Sequence, residues 1–210
     1  MDTDEFRHAI VPDAGVSEVP AGTDALDAIC AMAAAQSQHE LDTLYTFWCR
    51  DADRGLGDEV ALRYLSRSAK NLAPVLAVKM IGTGMLSPVV LSPVIGRMWA
   101  CAEFPDALIG HQMWRTLFTA SGYSVDGKSE QRPREAVRLW RGAVHERLDD
   151  WSWTDDIEVA RLYAQGHGGS RPPGTLWTAV VDPERMYARN VFRGESEYVV
   201  DTAGLQIEEF

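Results

Sequence analysis

One change of pattern, near residue 130, constrains this chain more than any other feature. Before it, apolar residues recur at three- and four-residue steps; after it, they come in short runs dominated by β-branched and aromatic side chains. The first pattern is that of one-sided helices and the second that of strands. The spacing predicts an α+β protein, with a helical N-terminal region packed on a small mixed β-sheet domain.

The helices can be placed from their apolar faces and their ends. From Ala25 to Arg50, the residues Leu26, Ile29, Ala33, Leu41, Leu44, Tyr45 and Trp48 fall on one face, with Thr23 and Asp24 as a start signal and Gly55 and Gly57 as a stop. Asp58 caps a second run through Val60, Leu62, Tyr64 and Leu65, and a third follows from Lys70 to Met80. Two more cover Pro93 to Ala102 and Asp106 to Ser121, the latter with Leu108, Ile109, Met113, Trp114, Leu117 and Phe118 on a broad apolar stripe. Gly82 and Gly84 form a GxG, but no strand leads into it and Ser87 stands where a third glycine belongs, so it reads as a turn.

Residues 1–22 read as a flexible tail, residues 23–130 as the helical region and residues 131–210 as the sheet domain, the latter two forming one compact unit, with Gly122 to Arg134 as the linker. Strands are expected at Val137–Trp140, Trp151–Trp153, Leu176–Val181 and Tyr198–Val200. A helix starting at Thr154, Asp155 and Asp156 carries Ile157, Ala160, Leu162 and Tyr163 before Gly166 stops it, and Gln165 to Gly174 is a loop. A core of about 80 residues is marginal alone, so the helices should pack against the sheet and complete it.

Charge narrows the function classes. Twenty Lys and Arg against 31 Asp and Glu give a net charge of -11, which disfavours a phosphate-tracking nucleic-acid surface. Every basic residue after position 130 is Arg, whose planar fork suits an anionic ligand. Cys30, Cys49 and Cys101 lack the spacing of a zinc site or a disulfide framework, and the histidines His145 and His167 have no metal-ligand partners, so no metal is expected. The acidic start, without an apolar core segment, points to a cytoplasmic protein. The most apolar stretch, Leu72 to Leu91, is interrupted by Lys79, Pro74 and Pro88, which argues against a membrane span.

Three short pieces after residue 136 combine into a constellation. Leu139-Trp140-Arg141-Gly142 ends a strand, Trp151-Ser152-Trp153-Thr154 enters a helix, and Gly194-Glu195-Ser196-Glu197 opens a strand that continues as Tyr198-Val199-Val200. Over about 75 residues this order resembles the arginine–serine–glutamate class of ADP-ribosyltransferases, with the ExE pair at Glu195 and Glu197.

The resemblance implies an NAD-binding, mixed α/β domain that breaks the nicotinamide–ribose bond and transfers ADP-ribose to an acceptor such as a protein arginine. It implies that Glu197 contacts the nicotinamide ribose, that Ser152 orients that carboxylate, that Arg141 holds phosphate, and that Glu195 meets the acceptor as an orienting group or general base. Chemistry makes these residue types suitable. A guanidinium can bridge pyrophosphate oxygens, and a fixed carboxylate stabilises an oxocarbenium-like ribose. Gly142 would let ligand and backbone approach closely, while Trp153 and Tyr163 could line the nicotinamide site.

The motif reads Ser-Trp-Thr where the family often has Ser-Thr-Ser, and strand alternation turns Trp153 to the face opposite Ser152. Two other readings stay open. An NAD glycohydrolase would use the same residues with water as acceptor, and a catalytically silent interaction protein would use the helical region to contact a partner.

Overall fold

The computed structural model describes residues 25–53, 57–84 and 86–210. The expected tail at residues 1–22, the helix start at Thr23 and Asp24, and Gly55 lie outside the described residues. Those described form six α-helices and an eight-stranded mixed sheet.

Five helices come first: α1 (Ala25–Asp53), α2 (Asp58–Arg67), α3 (Leu72–Gly82), α4 (Ile95–Cys101) and α5 (Pro105–Ser121). Their buried faces follow the predicted spacing, except that Met113 of the predicted stripe is exposed. Trp48 in α1, Leu65 in α2, Leu76 and Met80 in α3, and Trp114, Leu117 and Phe118 in α5 share one core. Helix α5 is broken at Gly110, whose φ of 73° and ψ of 151° are not helical. Gly84 sits in a left-handed turn after α3, in line with the reading of the GxG.

The sheet is built from β1 (Ser124–Val125), β2 (Lys128–Ser129), β3 (Val137–Ala143), β4 (Ser152–Thr154), β5 (Thr175–Val181), β6 (Met186–Asn190), β7 (Glu197–Val200) and β8 (Glu208–Glu209). Their order across the sheet is β2-β1-β6-β7-β4-β3-β5-β8, and α6 (Ile157–Ala164) follows β4. Asp156 caps α6, its carboxylate accepting from the Glu158 backbone N–H at 2.9 Å.

Three features depart from the sequence reading. The segment 122–134, expected as a linker, contributes β1 and β2 to the sheet, and β1 runs parallel to β6 while every other neighbouring pair is antiparallel. Its Asp126-Gly127 turn has φ of 48° and 77°, the geometry of a tight hairpin, and Asp126 Oδ1 ties it to the Val191 and Phe192 backbone N–H groups. Strand β6 lies mid-sheet although Met-Tyr-Ala-Arg-Asn has little β-character, because its neighbours on both sides supply the pairing. Strand β8 adds an edge pair to β5.

The sheet is buried on both faces. Trp151, Tyr187, Ala188 and Val199 join the helical core, whereas Leu139, Trp153, Trp177, Met186, Tyr198 and Val200 form a second core on the other side. The helices therefore complete the sheet, as the small size of the second region predicts. Among the described residues, no helix is long and apolar enough to cross a membrane.

Candidate active site

The register of three strands brings the central residues together. Strand β7 pairs with β4 so that Thr154 faces Glu197 and Ser152 faces Val199, and β6 puts Asn190 opposite Glu197. Residues paired or two apart share a face, so Ser152, Asn190 and Glu197 all turn towards the helices.

Their polar atoms form a chain. Ser152 Oγ donates to Glu197 Oε1 at 2.6 Å and Asn190 Nδ2 donates to Oε2 at 3.0 Å. From α4, Trp99 Nε1 donates to Ser152 Oγ at 2.9 Å, and the Gly96 carbonyl accepts from Asn190 Nδ2 at 3.1 Å. Burial pushes the Glu197 carboxyl above the usual glutamate range, opposed by the bonds from Ser152 and Asn190.

Glu195, two residues earlier, sits differently. Its carboxylate accepts from the Tyr163 hydroxyl at 3.2 Å and its carbonyl from Thr154 Oγ1 at 2.7 Å. Burial first, and Glu195 second, raise the Tyr163 phenol, so the tyrosine keeps its proton as donor. Thr154 also accepts from the Asp156 N–H at 3.1 Å, joining the β7 entry loop to the start of α6.

Arg141 does not present the free fork expected of it. The side chain is 13% exposed, and its donors go to Asp150 Oδ2 at 2.7 Å, the Arg147 carbonyl at 3.0 Å and the Ser152 carbonyl at 2.6 Å. Arg147 also binds Asp150 at 2.7 Å and reaches Asp106 of α5 at 3.1 Å. This network fixes the β3–β4 connection, and with it the backbone of Ser152.

Gly142 is needed for a close approach, but to protein. A Cβ there would lie 2.1 Å from the Ala160 carbonyl oxygen and 2.2 Å from the Ala164 nitrogen, so α6 packs flat on β3 only over a glycine. Trp153 points away from Ser152, as alternation requires. It is 1% exposed in the second core, with Nε1 donating to the Asp150 carbonyl at 2.8 Å. The indole supports the strand, and Trp153 is nevertheless among the residues that line a cleft beside Ser152.

This cleft, of about 350 Å³, collects these groups. Arg141, Gly142, Ser152, Trp153, Tyr163, Glu195 and Glu197 line it together with Trp99, Arg147, Asp150, Arg171 and Arg193. Arg171 rises from the glycine-rich loop after α6 and lies 5.8 Å from the Tyr163 ring centre. Arg193, before β7, donates to the Ala100 carbonyl at 2.7 Å. Both are exposed, and among the described residues neither has a carboxylate within ion-pair distance, which sets them apart from Arg141 and Arg147.

A second cleft, of about 440 Å³, lies beyond His111 and Trp151 and is lined by Arg115, Leu148, Leu205 and Ile207. Its arginine is matched to Asp201 at 2.8 Å, which lowers that carboxyl; Trp151 lines it, whereas Arg141, Ser152, Glu195 and Glu197 do not.

Trp99, Asn190, Arg147, Asp150, Arg171 and Arg193 were not legible as site residues. Trp99 belongs to an ordinary apolar helix stripe and Asn190 to a strand that does not read as one. Among the described residues no cluster of three or more His, Cys, Asp or Glu could hold a metal ion. Compared with known proteins, the chain matches no family model, no curated protein and no solved structure.

Proposed function

We propose that the cleft binds NAD, breaks the bond between nicotinamide and ribose, and passes the ADP-ribosyl group to an acceptor, an activity of the ADP-ribosyltransferase class. The observation that carries this is the Glu197 carboxylate, held at both oxygens by Ser152 and Asn190 within the cleft. A carboxylate fixed in this way suits a reaction that develops positive charge beside it.

When the glycosidic bond breaks, its electron pair leaves with nicotinamide and the ribose becomes oxocarbenium-like. Glu197, ionised, stabilises that charge. Arg171 and Arg193 hold the pyrophosphate, since their guanidinium charges are not already matched by carboxylates, while Arg141 acts on the wall of the cleft by holding Ser152 in place. The acceptor nucleophile then bonds to the ribose carbon. Glu195, on the adjoining loop beside Tyr163, orients that nucleophile and takes its proton.

The deciding experiment measures nicotinamide released from NAD by the protein and by Glu197→Gln, with and without cell lysate, followed by mass spectrometry of the products. Release that depends on Glu197, with an ADP-ribose adduct on a lysate protein, supports transfer. Free ADP-ribose without an adduct assigns the chemistry to hydrolysis. No release in either condition, together with no NAD binding by calorimetry at millimolar ligand, would replace the enzyme with an interaction protein.

A further inference from the structure

We propose that helix α4 of the helical region is the positioning element of the proposed site, with Trp99 orienting the Ser152 hydroxyl and Gly96 seating the Asn190 amide so that both grip Glu197. This rests on the reading of Glu197 as the group that meets the ribose.

Hydrogen-bond bookkeeping dictates the direction of the chain. An indole N–H only donates, and a serine hydroxyl has one proton. Because Trp99 Nε1 occupies a lone pair of Ser152 Oγ at 2.9 Å, the single Ser152 proton is left for Glu197 Oε1 at 2.6 Å. The indole itself has no freedom to move. It is 2% exposed and packs against Trp114 at 5.2 Å, Trp151 at 5.4 Å and Phe118 at 6.2 Å between ring centres. Successive hydrogen bonds of this kind polarise one another, so the Trp99 bond strengthens the one Ser152 gives to the carboxylate.

The other oxygen is held through the same helix. Asn190 divides its two amide protons between the Gly96 carbonyl at 3.1 Å and Glu197 Oε2 at 3.0 Å. Gly96 is helical, yet a Cβ there would come within 2.7 Å of Asn190 Oδ1 and 3.3 Å of the Ala188 Cβ. Alanine normally favours a helix over glycine. At this position it would instead push the Asn190 amide away from the carboxylate. One turn of α4 thus serves both oxygens, and the helical region becomes part of the site.

The test uses the full chain with Trp99→Phe, which keeps an aromatic ring but removes the N–H, and Gly96→Ala, which removes no polar group but displaces the Asn190 amide. Both are read by kcat and KM for nicotinamide release across pH, and by carboxyl NMR titration of Glu197, with thermal melting alongside. For each variant kcat should fall on the order of threefold to tenfold, the range for one hydrogen bond, with KM little changed. The Glu197 titration and the acid limb of kcat should both move to higher pH, because weaker donors stabilise the carboxylate less. A double-mutant cycle adds the direction: in a Ser152→Ala background, Trp99→Phe should have no further effect on the titration.

A lower Tm with an unmoved Glu197 titration in both variants would overturn the proposal, leaving α4 a packing element. So would additive effects of Trp99→Phe and Ser152→Ala. If the protein released no nicotinamide, the reading of the reaction would fail by itself, while the NMR titration would still decide whether α4 positions Glu197.

Discussion

Strand β7 meets two different environments within four residues, and the contrast separates what folds this protein from what it does. On one face, Tyr198 and Val200 pack with Trp153, Leu139 and Met186 in an apolar core, with the Tyr198 hydroxyl at its edge donating to Asp155 Oδ2 at 3.4 Å. The opposite face carries Glu197, bound by Ser152 and Asn190 and backed by Trp99. Enclosing a carboxylate is unfavourable unless hydrogen bonds compensate for lost water, and an apolar residue at Glu197 would serve the sheet as well. The apolar face supplies stability; the polar face uses part of that stability to hold a charge where a ligand can reach it.

The sharpest way to break this division is to cut into the apolar face. Trp153→Ala should lower stability by about 3–5 kcal/mol, the cost of emptying a fully buried aromatic site. Its measured loss in denaturant unfolding should far exceed that of Ser152→Ala, one strand position away on the other face. If the serine variant were the less stable of the two, the polar face would be the structural one.

Next in size comes the converse, a change that spares folding and removes the charge. Glu197→Gln should reduce kcat for nicotinamide release by about 10²–10³-fold, the scale of losing one preorganised electrostatic contact, with NAD affinity nearly unchanged. Single-turnover kinetics with calorimetric NAD binding checks both halves. Turnover that survives the substitution removes Glu197 from the chemistry.

The arginines extend the comparison along the cleft. Arg171→Ala or Arg193→Ala should each raise KM for NAD by about tenfold with a smaller effect on kcat, since a charged hydrogen bond of about 1.5 kcal/mol corresponds to that factor. Arg141→Ala should instead lower Tm, because it removes the donor to two carbonyls and leaves Asp150 with Arg147 in place of two guanidinium partners. Melting curves beside initial rates distinguish the two roles.

How far the sequence disclosed all this depends on the range of the interaction. Helical spacing from Ala25 onward, the strands containing Leu139, Trp153 and Tyr198, and the opposite orientations of Ser152 and Trp153 are local consequences of period, and they could be read directly. Strand β6 could not, because Met186 to Asn190 is held by its neighbours in the sheet more than by its own residue types. Asn190, the second holder of Glu197, was hidden with it. Arg141 was legible as an arginine ending a strand, yet its partner Asp150 sits in a connection whose path no periodicity foretells. Gly142 announced a close approach without saying to what; the answer is the α6 backbone.

The smallest expected effect is a slope. Burial raises the Glu197 carboxyl in the folded protein, so the folded state holds its proton more tightly than the unfolded chain does. For a group shifted in this direction, the favourable contribution is present below the unfolded glutamate value and is lost as pH rises through the folded one. As pH rises above the unfolded glutamate value, the wild-type protein therefore loses a favourable contribution that Glu197→Gln never had. The amide has a fixed penalty of its own, since turning its carbonyl to Ser152 sets its NH2 against the Asn190 donor, but that penalty does not vary with pH. The difference in Tm, variant minus wild type, should accordingly grow as pH rises from the unfolded glutamate value, whatever its starting sign. A flat difference would mean that Glu197 is as well solvated folded as unfolded, and the division between the two faces of β7 would lose its energetic basis.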